Sequence, residues 1–435
     1  MQLVSLLNKY EEEFNVTDET FLFKNLVNTS VSKNKPYYGW FRYREGYSGD
    51  LVKELIKRSF VDPEINFVAD PMVGSGSTLV ASKELGVDSI GLDVNPFAIE
   101  AARTKIENYS SKELSEIDTI LDGLNVTKEF LKKDINNSAN AYFSHKNFSV
   151  LQSLQRQINS INNVKLRSLF RTAWLSILED CSNRKKDGNG LATRDSKVND
   201  VMSYYRLKMD EIKCDLCTTP LPKEVISEAI NESAFNFSSI STSFSKKTKK
   251  TLKAIIFSPP YANSFDYFES YKIELLMGGY YTPATLQTNK KKLIRNYRIS
   301  KMDDVLQTDE IVNLLCNEIA GALPKKEKEI GKKDSRTRLM PNMLRGYFYD
   351  MERTIIEFSK SLAPGGKIFI VVDQSAYVGV IIPTDIVLAH IAKKHGFNVC
   401  SIIKCRRANT SGQQIKKYPY LRTVLRESIV ELERV

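Results

Sequence analysis

The stretch Phe67-Val68-Ala69-Asp70-Pro71-Met72-Val73-Gly74-Ser75-Gly76-Ser77-Thr78, followed by Leu79-Val80-Ala81-Ser82-Lys83-Glu84-Leu85, decides how the chain is read. The first three residues are a short apolar run of the kind that forms a buried strand, and the last seven carry a helical pattern. Between them, an acid-proline pair and two glycines form a turn whose backbone can approach a ligand closely. Strand, glycine-rich turn and helix open a nucleotide-binding βα unit. Ser89-Ile90-Gly91-Leu92 then reads as a second strand, and the acid at its tip, Asp93, stands where such units hold the two hydroxyls of a ribose. A dinucleotide site requires G-x-G-x-x-G. This turn, D-P-x-x-G-S-G-S-T, lacks the third glycine.

Farther along, Ala254-Ile255-Ile256-Phe257 is a second apolar run, and it stops at Ser258-Pro259-Pro260-Tyr261. Proline cannot donate to a ladder, so the strand ends there and delivers Ser258 and Tyr261 into a crevice on a backbone that two prolines hold rigid. A fixed hydroxyl and fixed carbonyls beside an aromatic ring suit a flat ring bearing an NH2 group. Upstream, Ser48 is a credible N-cap for a helix with Leu51, Leu55 and Ile56 on its apolar face, and Asp50 falls in its first turn.

The turn resembles the D-P-F-x-G-S-G-T-T sequence of the S-adenosylmethionine-dependent amino-methyltransferases. Gly91-Leu92-Asp93-Val94-Asn95-Pro96 resembles the G-x-D-x-N-P that follows it, and Ser258-Pro259-Pro260-Tyr261 resembles the S-P-P-Y seen mostly in the cytosine-N4 enzymes of that family. Ala262-Asn263-Ser264-Phe265-Asp266-Tyr267 extends the last match. The resemblance covers about half of the chain, mainly 40–105, 254–275 and 362–404. It implies that Asp70 and the Gly74-Ser75-Gly76 backbone hold the methionine end of S-adenosylmethionine, with Asp93 on the ribose and Tyr47 as an aromatic wall. Pro71 and Asn95 stand in the matched motifs and are carried over with them. It also implies catalysis by Ser258, Pro259, Pro260 and Tyr261 on a base swung out of duplex DNA. The family places an acid against the adenine at the end of the next strand. Here the expected strand, near Phe235-Asn236-Phe237, offers only Asn236 and serines, so no residue is assigned. No Pro-Cys pair occurs, which leaves thiol attack at cytosine C5 unsupported.

The rest of the chain sets limits. Its 435 residues and net charge of +11 suit one large α/β domain with elaborations and a polyanionic partner. Lys246 to Lys250, Lys290-Lys291-Lys292 with Arg295 and Arg298, Lys325 to Arg338, and Arg406-Arg407 are dense in cations, as is the loop around Arg184, Lys185, Lys186 and Arg194 with Gly188-Asn189-Gly190 at its centre. Tyr37 to Arg44 interleaves rings with Arg42 and Arg44. No leader and no apolar run of about 18 residues is evident, and scattered cysteines fit a reducing cytoplasm. Cys214-x-x-Cys217 lacks a second ligand pair, so no metal is expected. Trp174 falls on the apolar face of a long helix ending near Cys181 and is read as core, and His390 and His395 are read as structural.

The expected architecture is a doubly wound, Rossmann-like sheet with helical and basic insertions. It divides into an N-terminal helical extension (1–34), a cofactor part (35–110), an insertion that is one candidate for target recognition (111–252), the catalytic strand and loop (253–278), a basic insertion that is another (279–345), and the C-terminal part of the sheet (346–435). The function expected from the resemblance is cytosine-N4 methylation of double-stranded DNA, with a cognate restriction endonuclease as partner. Adenine-N6 methylation, RNA base methylation, and a catalytically silent DNA-recognition subunit are the alternatives.

Overall fold

The structure, a computed structural model, describes the chain apart from Met1, Arg42, Glu45, 126–137, 188–189, 263–264, 297–308 and 409–411, and apart from the side chains of Gln2, Val4 and Gln413. Arg42, Gly188, Asn189, Asn263, Ser264 and Arg298, singled out above, lie outside the described residues.

Eight strands form the main sheet: β1 (Val16–Asp18), β2 (Asn66–Asp70), β3 (Asp88–Leu92), β4 (Ser227–Ile230), β5 (Thr251–Phe257), β6 (Lys367–Asp373), β7 (Phe397–Arg407) and β8 (Arg426–Arg434). Their order across the sheet is β1-β7-β8-β6-β5-β2-β3-β4. Every neighbouring pair is parallel except the two that involve β8. A parallel sheet needs both faces covered, which is why β2 and β3 are buried at every position.

The period of two assigns the faces. Val68, Ala254, Ile256, Phe369 and Val371 pack against Leu51, Val52, Leu55 and Ile56 of the helix Gly49–Arg58. Phe67, Ala69, Ile255, Phe257, Ile368 and Ile370 point the other way, toward the helices Phe237–Thr248, Met340–Ser359 and Thr384–Lys394. Ser48 caps the first of these helices through the backbone N–H of Leu51 at 3.2 Å, as its sequence implied.

A third core belongs to the helical elaboration. Helices Ser111–Gly123, His145–Asn159, Val164–Cys181 and Val201–Thr218 pack with Pro96–Ile106 and Lys272–Met277 around Trp40, Phe170 and Trp174. Trp174 is fully buried and its Nε1 donates to the Leu151 carbonyl at 3.0 Å, a core residue as read. His390, on the helix Thr384–Lys394, lies beside Asp309, and His395, which follows that helix, lies beside Glu352.

Four expectations are corrected. Phe235-Asn236-Phe237 is no strand: a 3-10 turn, Ala234–Asn236, runs into the helix beginning at Phe237. The strand is Ser227–Ile230, at the sheet's edge, where partial exposure admits Ser227 and Glu228 and blurs the alternation. The insertion expected over 111–252 therefore ends earlier, because 227–230 and the helix 237–248 belong to the sheet layers. Residues 1–34 are more than a helical extension, since β1 adds an edge strand beside β7. Within 279–345, Leu286, Ile311, Leu315 and Ile319 are buried, and Lys290 is enclosed with Asp266 at 2.8 Å and Glu269 at 3.4 Å, so part of that basic segment is core. No helix among the described residues is long and apolar enough to cross a membrane.

The end of the sheet beside β8 is fastened by a buried network. Asp385, with no exposed surface, accepts from Gln374 Nε2 at 2.9 Å, Arg426 Nε at 2.8 Å and Ser428 Oγ at 3.0 Å. Asp385→Ala leaves the buried Arg426 guanidinium with only the more exposed Glu11, at 2.7 Å, as its carboxylate partner and should cost about 3 kcal/mol. A clear fall in the denaturant midpoint is the expected result, and an unchanged midpoint would contradict it.

Candidate active site

From β2 the chain winds outward through β3 to β4, then returns to place β5 on the other flank of β2. The loops leaving the carboxyl ends of β2 and β5 therefore diverge, and a crevice opens where the winding reverses. A cavity of about 1080 Å³ lies there. Tyr47, Asp70, Pro71, Gly74, Ser75, Asp93 and Asn95 line it from the β2–β3 side, and Ser258 and Pro260 line it from the β5 side. Gly76, Pro259 and Tyr261 stand behind this wall. The two stretches singled out in the sequence thus open into one hollow.

The turn after β2 is held by its own acids. Asp70, the last residue of the strand, takes the backbone N–H of Met72 on Oδ1 at 3.0 Å. Its Oδ2 meets the Tyr47 hydroxyl at 2.9 Å and the Thr78 hydroxyl. Tyr47 Oη also lies 3.2 Å from the Ile256 carbonyl, so one phenol joins the end of β2 to the end of β5. Asp93 accepts from Gly74 N at 2.9 Å and from Asn95 N at 2.8 Å, stapling the glycine turn to the tip of β3. Gly74 has φ +51°, and a Cβ there would sit 2.8 Å from the Tyr43 ring. A side chain cannot be accommodated.

Burial sets the electrostatics. It pushes the Asp70 carboxyl up to about 7, against the hydrogen bonds from Thr78, Met72 and Tyr47 that favour the anion, and it pushes Asp93 up to about 6. Burial also raises the Tyr47 phenol well above its ordinary value, so it keeps its proton at neutral pH.

At the end of β5, Ser258 Oγ lies 3.4 Å from the Tyr261 hydroxyl, which lies 3.4 Å from Glu427 Oε1. Glu427 pairs with Arg406. The Ala262 carbonyl accepts from Ser375 Oγ at 3.0 Å and Tyr377 Oη at 2.8 Å, which fixes the loop that follows. Tyr261, expected as a stacking face, is mostly buried. Tyr267, half-buried, lines the wall and is stacked at 6.0 Å on Tyr43, which in turn stacks on Tyr271 at 4.8 Å.

Sequence reading missed Tyr43 and Glu232 as site residues. Glu232 follows β4 by two positions and lines the cavity, and its neighbour Asn231 donates to the Asp93 carbonyl at 2.9 Å. The signal was faint, because in Val225-Ile226-Ser227-Glu228-Ala229-Ile230 apolar and polar residues come in pairs instead of alternating, and the acid falls beyond the strand's tip only once the strand is placed there. The cationic clusters sort by position. Lys246 to Lys250 lead into the start of β5, about 20 Å of strand away from the cavity. Lys326 and Arg338 are tied to Asp334 and Glu327. Lys292 lines the cavity, and Arg406 ends β7 on the same side as the end of β5. The hairpin Arg184–Asp187/Gly190–Thr193 is anchored beside the helices that follow Ser258 by the buried Lys186, which pairs with Glu274 and with Glu179 at 3.1 Å. Cys214 and Cys217 are exposed, and no group of three His, Cys, Asp or Glu that could hold a metal is found among the described residues.

The residues fit an adenosyl cofactor on two structural grounds. Gly74 gives a close backbone approach, and Asn95, buried on the wall, leaves its amide atoms without a hydrogen-bond partner beyond a loose approach to the Tyr43 hydroxyl. Asp70 yields a pH test. A carboxyl whose folded pKa is raised contributes stability that is present below about 4 and lost as pH rises to about 7. Asp70→Asn should therefore gain on the wild type by more than about 1 kcal/mol between pH 4 and 8, read as a pH-dependent difference in unfolding midpoints. A flat difference would contradict the assignment.

No family model matches the sequence. Type II methyltransferase M.BsoBI of Geobacillus stearothermophilus is 28% identical over an alignment covering 98% of this chain and 91% of that protein. Type II methyltransferase M.AvaI of Nostoc sp. is 27% identical, covering 88% and 83%. Type II methyltransferase M.MjaII of Methanocaldococcus jannaschii is 39% identical over 100 residues, 23% of this chain and 18% of its own. Over nearly its whole length the chain is thus similar to Type II methyltransferases.

Proposed function

We propose that this chain is a cytoplasmic, S-adenosylmethionine-dependent DNA methyltransferase that modifies the exocyclic N4 of cytosine in duplex DNA as part of a restriction-modification system, with a cognate endonuclease as companion. The observation that carries the reading is the single cavity into which both the Gly74 turn and Ser258 open. The full-length similarity to Type II methyltransferases supports it.

A bound sulfonium cofactor would supply the methyl electrophile. Asp93 would take its ribose hydroxyls, Glu232 its adenine amine, and Asp70, Pro71 and the Gly74-Ser75-Gly76 turn its amino-acid end. Asn95 supplies an amide donor and acceptor on the same wall, and Tyr47 holds the two strand ends at a fixed separation. The Ser258 hydroxyl and Pro259 carbonyl would accept from the N–H bonds of the target amine. This favours a pyramidal nitrogen whose lone pair points out of the ring and restores its nucleophilicity. Pro259 and Pro260 hold those acceptors without an ordering cost at binding. Tyr267 offers the stacking face, and Tyr261, through its hydroxyl, fixes the Ser258 turn from behind.

The target base must leave the duplex, at a cost of a few kcal/mol that stacking and phosphate contacts offset. Lys292 lies on the cavity side, with Arg406, paired to Glu427, at the same end of the sheet, and the hairpin from Arg184 to Thr193 stands beside the catalytic loop. DNA is therefore assigned to this face rather than to Lys246 to Lys250.

Ser258→Ala should slow methyl transfer to duplex DNA by about a hundredfold with cofactor affinity nearly unchanged. Asp93→Ala should weaken cofactor binding by about tenfold. Radiolabelled methyl transfer and equilibrium titration separate the two effects, and a Ser258→Ala variant of wild-type rate would contradict the base placement. Mass spectrometry of nucleosides from treated DNA should find N4-methylcytosine. N6-methyladenine alone would transfer the same geometry to adenine, and methylation of structured RNA but not duplex DNA would overturn the DNA assignment.

A further inference from the structure

Four lysines of the described residues are almost completely enclosed, and three have strong acceptors. Lys83 donates to the Ile106 carbonyl and to Asn108 Oδ1, Lys186 pairs with Glu274 and Glu179, and Lys290 pairs with Asp266 and Glu269. The fourth, Lys105, is 1% exposed on the helix Pro96–Ile106 and has no carboxylate partner among the described residues. Its one hydrogen bond runs from Nζ to Ser75 Oγ at 3.3 Å, directly under the glycine turn. Burying an ammonium without a counter-charge costs several kcal/mol. Burial holds its pKa down to about 7.

The donor inventory gives the bond a direction. In its charged form Lys105 can only donate, so Ser75 Oγ then accepts, and the serine's own O–H is left to point elsewhere, polarised by the cation behind it. Ser75 lines the cavity. Of the backbone donors beside it, Gly74 N is engaged on Asp93 and Gly76 N on the Val73 carbonyl at 2.9 Å. The side chain of Ser75 is thus where the turn presents a charge-backed donor to a ligand, and the matching ligand group is an anion.

We infer that Lys105 and Ser75 form a carboxylate subsite: the Ser75 hydroxyl donates to the α-carboxylate of the cofactor's amino-acid end, and that carboxylate brings the buried Lys105 ammonium, acting through the serine, a counter-charge. The inference rests on the cofactor reading above. A ligand with its ribose on Asp93 and its adenine toward Glu232 extends its other end across the Gly74-Ser75-Gly76 turn. Lys105 is accordingly a positioning residue, and the helix Pro96–Ile106, which otherwise serves as packing, carries binding specificity.

The test compares S-adenosylhomocysteine with its analogue lacking only the carboxylate, by calorimetric titration of the full-length protein. Wild type should bind the carboxylate-bearing ligand at least about tenfold more tightly, as expected of a charge-assisted hydrogen bond. Lys105→Met should remove most of that preference while leaving the analogue's affinity in place, and Lys105→Arg should keep most of it. In a Ser75→Ala background, Lys105→Met should cost little more, since the two act as one unit. Equal affinity of wild type for the two ligands overturns the subsite without recourse to any variant, as does a Lys105→Met loss that is the same for both. Should wild type bind neither ligand, the cofactor reading fails and the subsite with it. Binding of S-adenosylhomocysteine that is indifferent to Lys105 removes the subsite alone.

Discussion

The parallel pairing of β2 with β5 is the constraint on which the rest of the molecule depends. Two strands adjacent in the sheet but distant in sequence, Asn66–Asp70 and Thr251–Phe257, end on the same side, and everything chemical hangs from those two ends. The Tyr47 phenol, between Asp70 and the Ile256 carbonyl, binds them side to side. Because both strands are buried on both faces, neither can slide: a shift of one residue would turn Phe67 and Ile255 into the layer occupied by Val68 and Ile256. Register in the core is thereby converted into position at the site.

That rigidity has an electrostatic cost at the place where binding needs it. Asp70 and Lys105 are removed from water and Asp93 is half-buried on the cavity wall, and each is shifted toward its neutral form. An unliganded site of this kind stores unfavourable desolvation that hydroxyls, an amine or a carboxylate of a ligand can relieve. The structural ion pairs differ in this respect. Lys290 with Asp266, and Arg426 with Asp385, have their partners within the chain, and they hold loops and strand ends rather than await a ligand.

The sequence revealed the parts of this arrangement that rest on backbone chemistry. Asp70-Pro71 and the glycines of the turn, and the double proline after β5, announce themselves because few backbones tolerate them elsewhere. Buried strands rich in β-branched residues were equally legible. The edge strand β4 was not, because one exposed side lets Ser227 and Glu228 stand where a central strand carries apolar residues, and with the strand misplaced Glu232 went unread. Nor could the face of Tyr261 be read. Its neighbours Glu427 and Arg406 come from β8 and β7, more than a hundred residues away, and tertiary contacts alone draw its hydroxyl behind the wall. Charge runs were the least informative, since Lys290 is buried, Lys326 and Arg338 are paired, and Lys246 to Lys250 sit at the wrong end of the sheet. Composition registers a cation's presence but not its direction.

The most direct measurement of the central claim is a structure of the protein with S-adenosylhomocysteine and a duplex containing its target site. The account requires the sulfur to lie over the Gly74 turn and the flipped base to lie with its amine on Ser258, the two within about 4 Å of each other once the missing methyl is allowed for. A cofactor seated elsewhere, or a base held on a surface that Ser258 does not reach, would contradict it.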